Sequence, residues 1–451
     1  MEHVKHHQHS LNRVSFGSKL GMVAAAAGSA VGLGNIWRFP SSTADGGGAV
    51  FILVYLVCIL LIGIPMMMAE FVVGRAGKAN ASMSFRVLAP GTQWKWVGRL
   101  GILTAFLILG FYQVVCGWTL WYFFQSVSGQ LASVTDYAGD FSNLAASFPI
   151  QVALMAVFAL LTGVFVNSGV KKGIEKSAKL LMPVLFLLLI IMAIRSITLE
   201  GAGEGLSFLF HPDFSKLNGS TFLSALGQSF FSLSLGMGIM ITYGSYFKQD
   251  AHLFKTAAQV SLLDTLVAIL AGLVIFPAAF ALAPDKAAVT QELVKGGPGL
   301  LFITVPGLFK SLPLSSLWSS IFFFLIMIAA ITSTISLTET CVVFVHERFK
   351  LSRSVGTIIV TAGVIILGVF CSYSMNFFDR LDFLTAKIML PLGGLLVSIF
   401  VGWFMQRKLV EAELTSEGRQ HWSIGMLKTY TFIVRFIAPI AIIAIFIYGL
   451  A

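Results

Sequence analysis

Residues 27–40 read AGSAVGLGNIWRFP and lie inside the first long apolar stretch of the chain. A helix crossing a bilayer must satisfy its backbone hydrogen bonds internally, because the hydrocarbon core offers no water. Gly28, Gly32, Gly34 and Asn35 therefore weaken this helix near its middle. The sixth apolar stretch repeats the anomaly: SFFSLSLGMGIMITYGSYF, residues 229–247, has Gly236 and Gly238 at its centre. Each stretch opens a five-helix half. Small-xxx-small packing, as in Gly28 and Gly32, accounts for one such helix. Two interruptions at equal depth and symmetric position instead point to a midplane binding site on unwound backbone.

The composition makes the bilayer reading firm. Hydrophobic residues make up 57% of the 451 and charged residues only 11%, with a mean hydropathy of +0.88. A soluble chain of this length cannot hide so much apolar surface. Eleven apolar runs are long enough to cross a core of about 30 Å: 17–40, 50–74, 97–125, 149–167, 177–197, 222–246, 256–283, 315–346, 355–373, 383–405 and 430–450. The expected architecture is one all-α domain over 1–451, with repeats at about 17–197 and 222–405 and an extra helix at about 430–450.

The net charge of +10 invites a nucleic-acid reading, which the positions of the charges exclude. Connections on one side collect Arg75, Lys78, Arg86, Lys95 and Arg99, then Lys171, Lys172, Lys248, Arg348, Lys350 and Arg407. Those on the other side hold far fewer. By the positive-inside rule, the N-terminus is cytoplasmic and the C-terminus lies outside an inner (plasma) membrane. Cys58, Cys116, Cys341 and Cys371 stand singly in apolar runs and read as small buried hydrophobes. HHQH at 6–9 reads as part of a tail.

The broken helices suit particular ligands. Unwinding frees carbonyls for a hard cation such as Na⁺, and the positive half-helix ends favour a carboxylate. Glycine allows close backbone approach. AVGLGNIWRFP, with GGGAVF at 46–51, GIPMMMAE at 63–70, SFFSLSLGMG and TSTISL at 332–337, resembles the neurotransmitter:sodium symporter family along nearly the whole chain. That resemblance implies an all-α integral membrane protein with eleven transmembrane helices. It further implies a LeuT-type 5+5 inverted repeat, with helices 1 and 6 broken.

The resemblance also implies site residues. One sodium site takes Ala30, Asn35, Ser232 and Asp264. The other takes Gly28, Val31 and Ala329 carbonyls with Thr332 and Ser333 hydroxyls, although such hydroxyls commonly bond back to their own helix. Ser29, Ala30, Leu33 and Gly34 form one wall of the substrate pocket. Phe231, Ser232, Ser234 and Met237 face them, and Ile108, Tyr112, Ser333 and Leu337 close it. Tyr112 is expected to bond the substrate carboxylate. Monoamine transporters of the family carry Asp at the place of Gly32, so glycine here implies a substrate that brings its own carboxylate.

Arg38 and Asp382 are expected to pair as an outer gate with Phe231 as lid. Arg13 and Glu347, supported by Tyr246, are expected to pair as an inner one. Asp264, in VSLLDTLVAIL, has no basic neighbour in sequence. An intramembrane acid is functional by default. Family members with Asn at this position use chloride or a carboxylate one turn on, where this chain has Ala268. Asp264 is thus expected to supply the negative charge itself and make chloride dispensable. Glu70 and Glu339 are expected to cap N–H groups freed in the linkers. Gly173 and Pro183, in GIEKSAKLLMP at 173–183, mark a turn expected to open during ion release.

The resulting expectation is a sodium-coupled symporter that imports neutral hydrophobic L-amino acids with two Na⁺ ions. A sensor or a channel-like protein on the same fold is the alternative. A channel wants a repeated filter or charged ring, which this sequence lacks. HExxH, Walker A and GxSxG motifs are also missing, which argues against an enzyme.

Overall fold

The computed structural model describes residues 14–282 and 289–450; Arg13 and the HHQH segment lie outside them. Among the described residues there are helices and turns but no strand. The apolar runs become α1 (Lys19–Ala30 and Gly34–Asp45), α2 (Ala49–Gly77), α3 (Lys95–Val127), α4 (Phe148–Asn167) and α5 (Val170–Ile197). They continue as α6 (Gly219–Ser232 and Ile239–Gly244), α7 (Leu253–Leu282), α8 (Ser315–Phe349), α9 (Arg353–Tyr373), α10 (Met375–Phe404) and α11 (Ile424–Tyr448).

Among the described residues, nine helices are long and apolar enough to span alone, and α1 adds a tenth as a pair bent by 53°. Neither half of α6 spans by itself, since residues 233–238 interrupt it. Among the described residues the fold is thus all-α with its first and sixth helices broken, as the two glycine clusters require.

Burial separates core from periphery. The central windows of α3 and α8 are 78% and 83% buried, whereas those of α5 and α11 are only 33% buried. α8 packs along α3, α3 along α4 and α9, and α5 along α7, with α1 set against α5, α7 and α8. α3 and α8 have 33 and 35 residues, more than a perpendicular span needs, so they extend beyond the hydrocarbon or cross it obliquely. Exposed Leu160, Val164, Leu187 and Ile358 on the outer helices are the lipid-facing complement of this core. The four cysteines are free and buried.

Several spans contain wide turns with i→i−5 bonding. In α1 the turn is Gly34–Arg38, where Phe39 N–H reaches the Gly34 carbonyl; Pro40, which has no N–H, follows in the first turn of Phe39–Asp45. In α5 it is Val170–Glu175, and the helix then continues through Pro183. The turn expected to open is therefore wound here. The long connections also fold into short helices, among them Tyr137–Ala146, Ala202–Phe210 and Val305–Lys310.

Candidate functional site

The breaks in α1 and α6 face each other at mid-depth. In α1, the last helical turn ends at Val31, whose N–H still reaches Ala27 O, and Asn35 Oδ1 accepts from Gly32 N–H at 3.0 Å. In α6, Ser234, Gly236 and Gly238 have φ of 56°, 82° and 74°, left-handed values that glycine adopts without strain. A Cβ on Gly236 would also stand 2.3 Å from the Leu390 carbonyl oxygen of α10. The freed Gly236 N–H donates to Glu70 Oε1 at 2.7 Å, as expected for an acid that caps the linker. Glu339 does something else: it pairs with Arg353 and accepts from Tyr246 OH at 2.6 Å.

Asn35, Ser232 and Asp264 converge from α1, α6 and α7. Asn35 Nδ2 donates to Asp264 Oδ1 at 2.7 Å and to Ser232 Oγ at 3.1 Å. The Ser232 hydroxyl lies 2.9 and 2.8 Å from the two Asp264 carboxylate oxygens. Tyr55 OH, from α2, adds a bond at 3.2 Å. Nothing in the sequence distinguished Tyr55 from a core aromatic. Asp264 is 0% exposed and has no cationic partner among the described residues. A buried carboxylate held only by neutral donors leaves negative charge uncompensated, so a cation fits beside it.

The second cluster joins α1 to α8. Ser333 Oγ donates to Val31 O at 3.1 Å. Thr332 Oγ1 bonds back to Ala329 O at 3.0 Å and Ile328 O at 3.2 Å. A Cβ on Gly28 would lie 3.3 Å from Thr332 Cβ and 3.6 Å from Met182 Sδ of α5. Gly28, Val31, Ala329, Thr332 and Ser333 thus come together, with Met182 of α5 beside Gly28. Their oxygens are all neutral, which suits a monovalent ion that must also leave.

Between the clusters lies a small space of about 40 Å³. Ser29, Ala30, Gly32, Gly34, Ile108, Tyr112, Phe231, Ser232, Ser234, Met237, Ser333 and Leu337 line it, together with Ile239, which sequence reading had not placed there. Leu33 borders the larger cavity above. Tyr112 OH accepts from Leu33 N–H at 3.2 Å, which leaves its own proton to donate. Ser234 Oγ donates to Ser29 O at 3.0 Å and thereby ties the two breaks. A Cβ on Gly32 would meet Ser333 Oγ at 2.5 Å and Tyr112 OH at 3.1 Å, so no side chain is accommodated there without a shift.

Above Phe231 opens a cavity of about 420 Å³ lined by Arg38, Asp382, Phe378 and Lys387. Gly34, Tyr112 and Phe231 border both spaces, so the Phe231 ring is the partition. The expected Arg38–Asp382 pair is not made: both line the cavity, but no ion pair joins them among the described residues. The Arg38 guanidinium instead sits 4.4 Å from the Phe231 ring centroid. Across an open cavity an ion pair gains little, and the cation–π contact holds Arg38.

The opposite side is packed shut. Phe16 is 3% exposed and makes edge contacts with Tyr243 and Tyr246, both at 5.8 Å. Its N–H bonds Tyr246 O at 3.2 Å. Gly17 N–H and Ser18 Oγ donate to Glu175 of α5 at 2.6 and 2.9 Å. Of the expected inner gate, Arg13 lies outside the described residues. Glu347 accepts from Asn80 N and Nδ2 at 2.8 and 2.9 Å. The Tyr246 hydroxyl donates to Glu339 Oε1 at 2.6 Å, beside Arg353 of α9.

The model of the sodium:neurotransmitter symporter family matches residues 13–140 and 140–451. An uncharacterized sodium-dependent transporter of Bacillus subtilis, YhdH, is 37% identical, covering 96% of this chain and 97% of its own length. An uncharacterized sodium-dependent transporter of Haemophilus influenzae is 33% identical, covering 97% and 98%. The crystal structure of MhsT in complex with L-phenylalanine superposes with a TM-score of 0.86 at 42% identity, over 97% of this chain and all of that one. The broken helices, the paired oxygen clusters and these full-length matches agree: the chain is a multi-pass, sodium-dependent transporter, not an enzyme, and belongs to the sodium:neurotransmitter symporter family.

Proposed function

We propose that this symporter imports neutral hydrophobic L-amino acids, from branched aliphatics to aromatics, together with two Na⁺ ions and without chloride. The supporting observation is the chemistry between the breaks. Tyr112 offers a hydroxyl, and frayed helix ends offer N–H and carbonyl groups to a zwitterion. Ile108, Phe231, Met237 and Leu337 surround its side chain, while Leu33, expected there, borders the cavity above. No charged residue lines the small space, so Lys, Arg, Asp or Glu would enter unpaired at a heavy desolvation cost. Methionine is unbranched and adapts to different shapes, which favours breadth. The L-phenylalanine in the MhsT complex agrees with this class.

The ions occupy the two oxygen clusters in this reading. Asp264 supplies the negative charge in the first, and the five neutral oxygens of Gly28, Val31, Ala329, Thr332 and Ser333 form the second. Arg38, Asp382 and Phe231 close the outer side, and the packed Phe16–Tyr246 side is cytoplasmic. Access alternates as the two repeats rock about the breaks. Two ions moving down about 100 mV release roughly 4.6 kcal/mol, and a tenfold gradient adds about 1.4 kcal/mol per ion. The sum, roughly 7 kcal/mol, supports about 10⁵-fold accumulation of a zwitterion. Competition of all amino acids against one radiolabelled hydrophobic substrate, with and without Na⁺, tests the proposal. Best competition by glycine or by a charged amino acid refutes it.

A further inference from the structure

Another cavity, of about 320 Å³, lies where α3 begins and α8 ends and shares no lining residue with the transport site. Four of its lining residues are cationic: Arg86, Lys95, Arg99 and Arg348. None of the four forms an ion pair with a described residue, and no acid lines the space. Nearby Glu347 is engaged by Asn80. Arg99 Nε is buried without a hydrogen-bond partner, and its guanidinium lies 4.4 Å from the Trp96 ring centroid. Like charges gathered this closely repel one another unless an anion sits among them.

The surrounding structure fixes the backbone that carries these groups. The helix Ala81–Leu88 runs against the first turn of α3, where a Cβ on Gly98 would meet the Ala81 carbonyl oxygen at 2.4 Å. Ser82 Oγ donates to Lys95 O at 3.1 Å. Asn80 caps that short helix through Met83 N–H at 3.0 Å and also lines the cavity. The first turn of a 33-residue helix adds the positive end of its dipole.

We propose that this cavity binds the phosphodiester headgroup of an anionic phospholipid from the cytoplasmic leaflet. The side of the membrane follows from the topology proposed above; the binding does not depend on the transport substrate. Two features select a lipid over a free phosphate. Met83, which lines the cavity, is 37% exposed, and Trp96, Val87 and Leu103, next to or one helical turn from its lining residues, are 57%, 55% and 50% exposed, apolar surface fit for acyl chains. Tryptophan also concentrates at the headgroup level, and basic pockets between helix ends on the cytoplasmic side bind acidic headgroups.

The test titrates the purified full-length protein in neutral detergent, without Na⁺ or amino acid, with dioctanoyl phosphatidylglycerol, dioctanoyl phosphatidylcholine and sodium phosphate. Phosphatidylglycerol should saturate one site, and the two other probes should bind at least tenfold more weakly. Each cationic side chain removed should weaken binding about fivefold, so Arg99→Gln with Arg348→Gln should cost about thirtyfold. Arg86→Gln with Lys95→Gln, on different elements, should cost a similar factor and serves if the first variant misfolds. Equal binding of phosphatidylglycerol by wild type and a folded variant overturns the proposal. So does sodium phosphate binding as tightly as the lipid, which would point to a soluble phosphoryl ligand. Na⁺-dependent amino-acid binding by the same variants should stay within twofold of wild type, so failure here leaves the transport reading standing.

Discussion

Asp264→Asn removes the single formal charge of the first oxygen cluster at constant size. In the structure this carboxylate receives Asn35 Nδ2 at 2.7 Å, the Ser232 hydroxyl at 2.8 Å and Tyr55 OH at 3.2 Å. Asparagine keeps one acceptor oxygen but points an NH₂ at one of these donors, losing a charge-assisted bond worth about 1.5–3 kcal/mol. A cation about 4 Å from the carboxylate gains about 4 kcal/mol at an effective dielectric of 20. Relaxation and water entry return part of this, so we expect a net loss of about 2–4 kcal/mol in Na⁺ binding. That corresponds to roughly a 30- to 1000-fold rise in the Na⁺ concentration for half-maximal uptake. The assay is uptake of radiolabelled leucine into proteoliposomes over a Na⁺ series, in chloride and in gluconate. Wild type should be indifferent to the anion, whereas the variant should be weak in gluconate and partly restored by chloride. Collapse of wild-type uptake in gluconate, or an unchanged Na⁺ dependence in the variant, would refute the charge-compensation reasoning.

Other perturbations probe separate elements. Met237→Phe fills space beside Leu337 and Ile108, so inhibition constants should rise for Trp and Phe by about tenfold and for Val and Leu by less than threefold; an equal effect on all four competitors would remove Met237 from the pocket. Pro183→Ala restores a donor for the Lys179 carbonyl and stiffens α5 behind Met182, so turnover should fall severalfold while equilibrium substrate binding stays normal; unchanged turnover would show that this turn does not open. Arg75→Ala strands Glu413, which Arg75 Nε meets at 2.6 Å with both side chains nearly inaccessible. Breaking a buried pair from one side costs about 3–5 kcal/mol, and a thermal melt of the variant should register it; an unchanged melting temperature would mean that Glu413 finds water.

The midplane breaks were legible because glycines and an asparagine weaken a helix where hydrocarbon most demands an intact one, and they do so twice at matching depth. Asp264 announced itself by the cost of a lone acid in hydrocarbon. Tyr55 did not, because a tyrosine in an apolar run reads as core until α7 is known to lie against it. The Glu413 partner of Arg75 comes from a helix 338 residues away, a distance over which periodicity carries nothing. Glu339 failed for a related reason. Its neighbour is set by the chain reversal between α8 and α9, which brings Arg353 back along the helix, and neither the period nor the charge count reveals that geometry. In the wide turn at Gly34–Arg38 the Gly34 carbonyl accepts from Gln228 Nε2 of α6 at 3.2 Å, a tertiary partner that local propensity does not encode. The proposed gate at Arg38 is a matter of conformational state: Arg38 and Asp382 line one cavity, but pairing needs that cavity to close.

The most direct test of the central claim is concentrative uptake by the purified protein in liposomes. An inward Na⁺ gradient is imposed, with potassium and valinomycin setting the potential. Radiolabelled leucine or phenylalanine should accumulate well above the external concentration, collapse when Na⁺ is replaced by potassium or when a sodium ionophore is added, and persist in gluconate. Equilibration without accumulation, or accumulation that ignores the Na⁺ gradient, would contradict the assignment of the paired clusters as coupled ion sites.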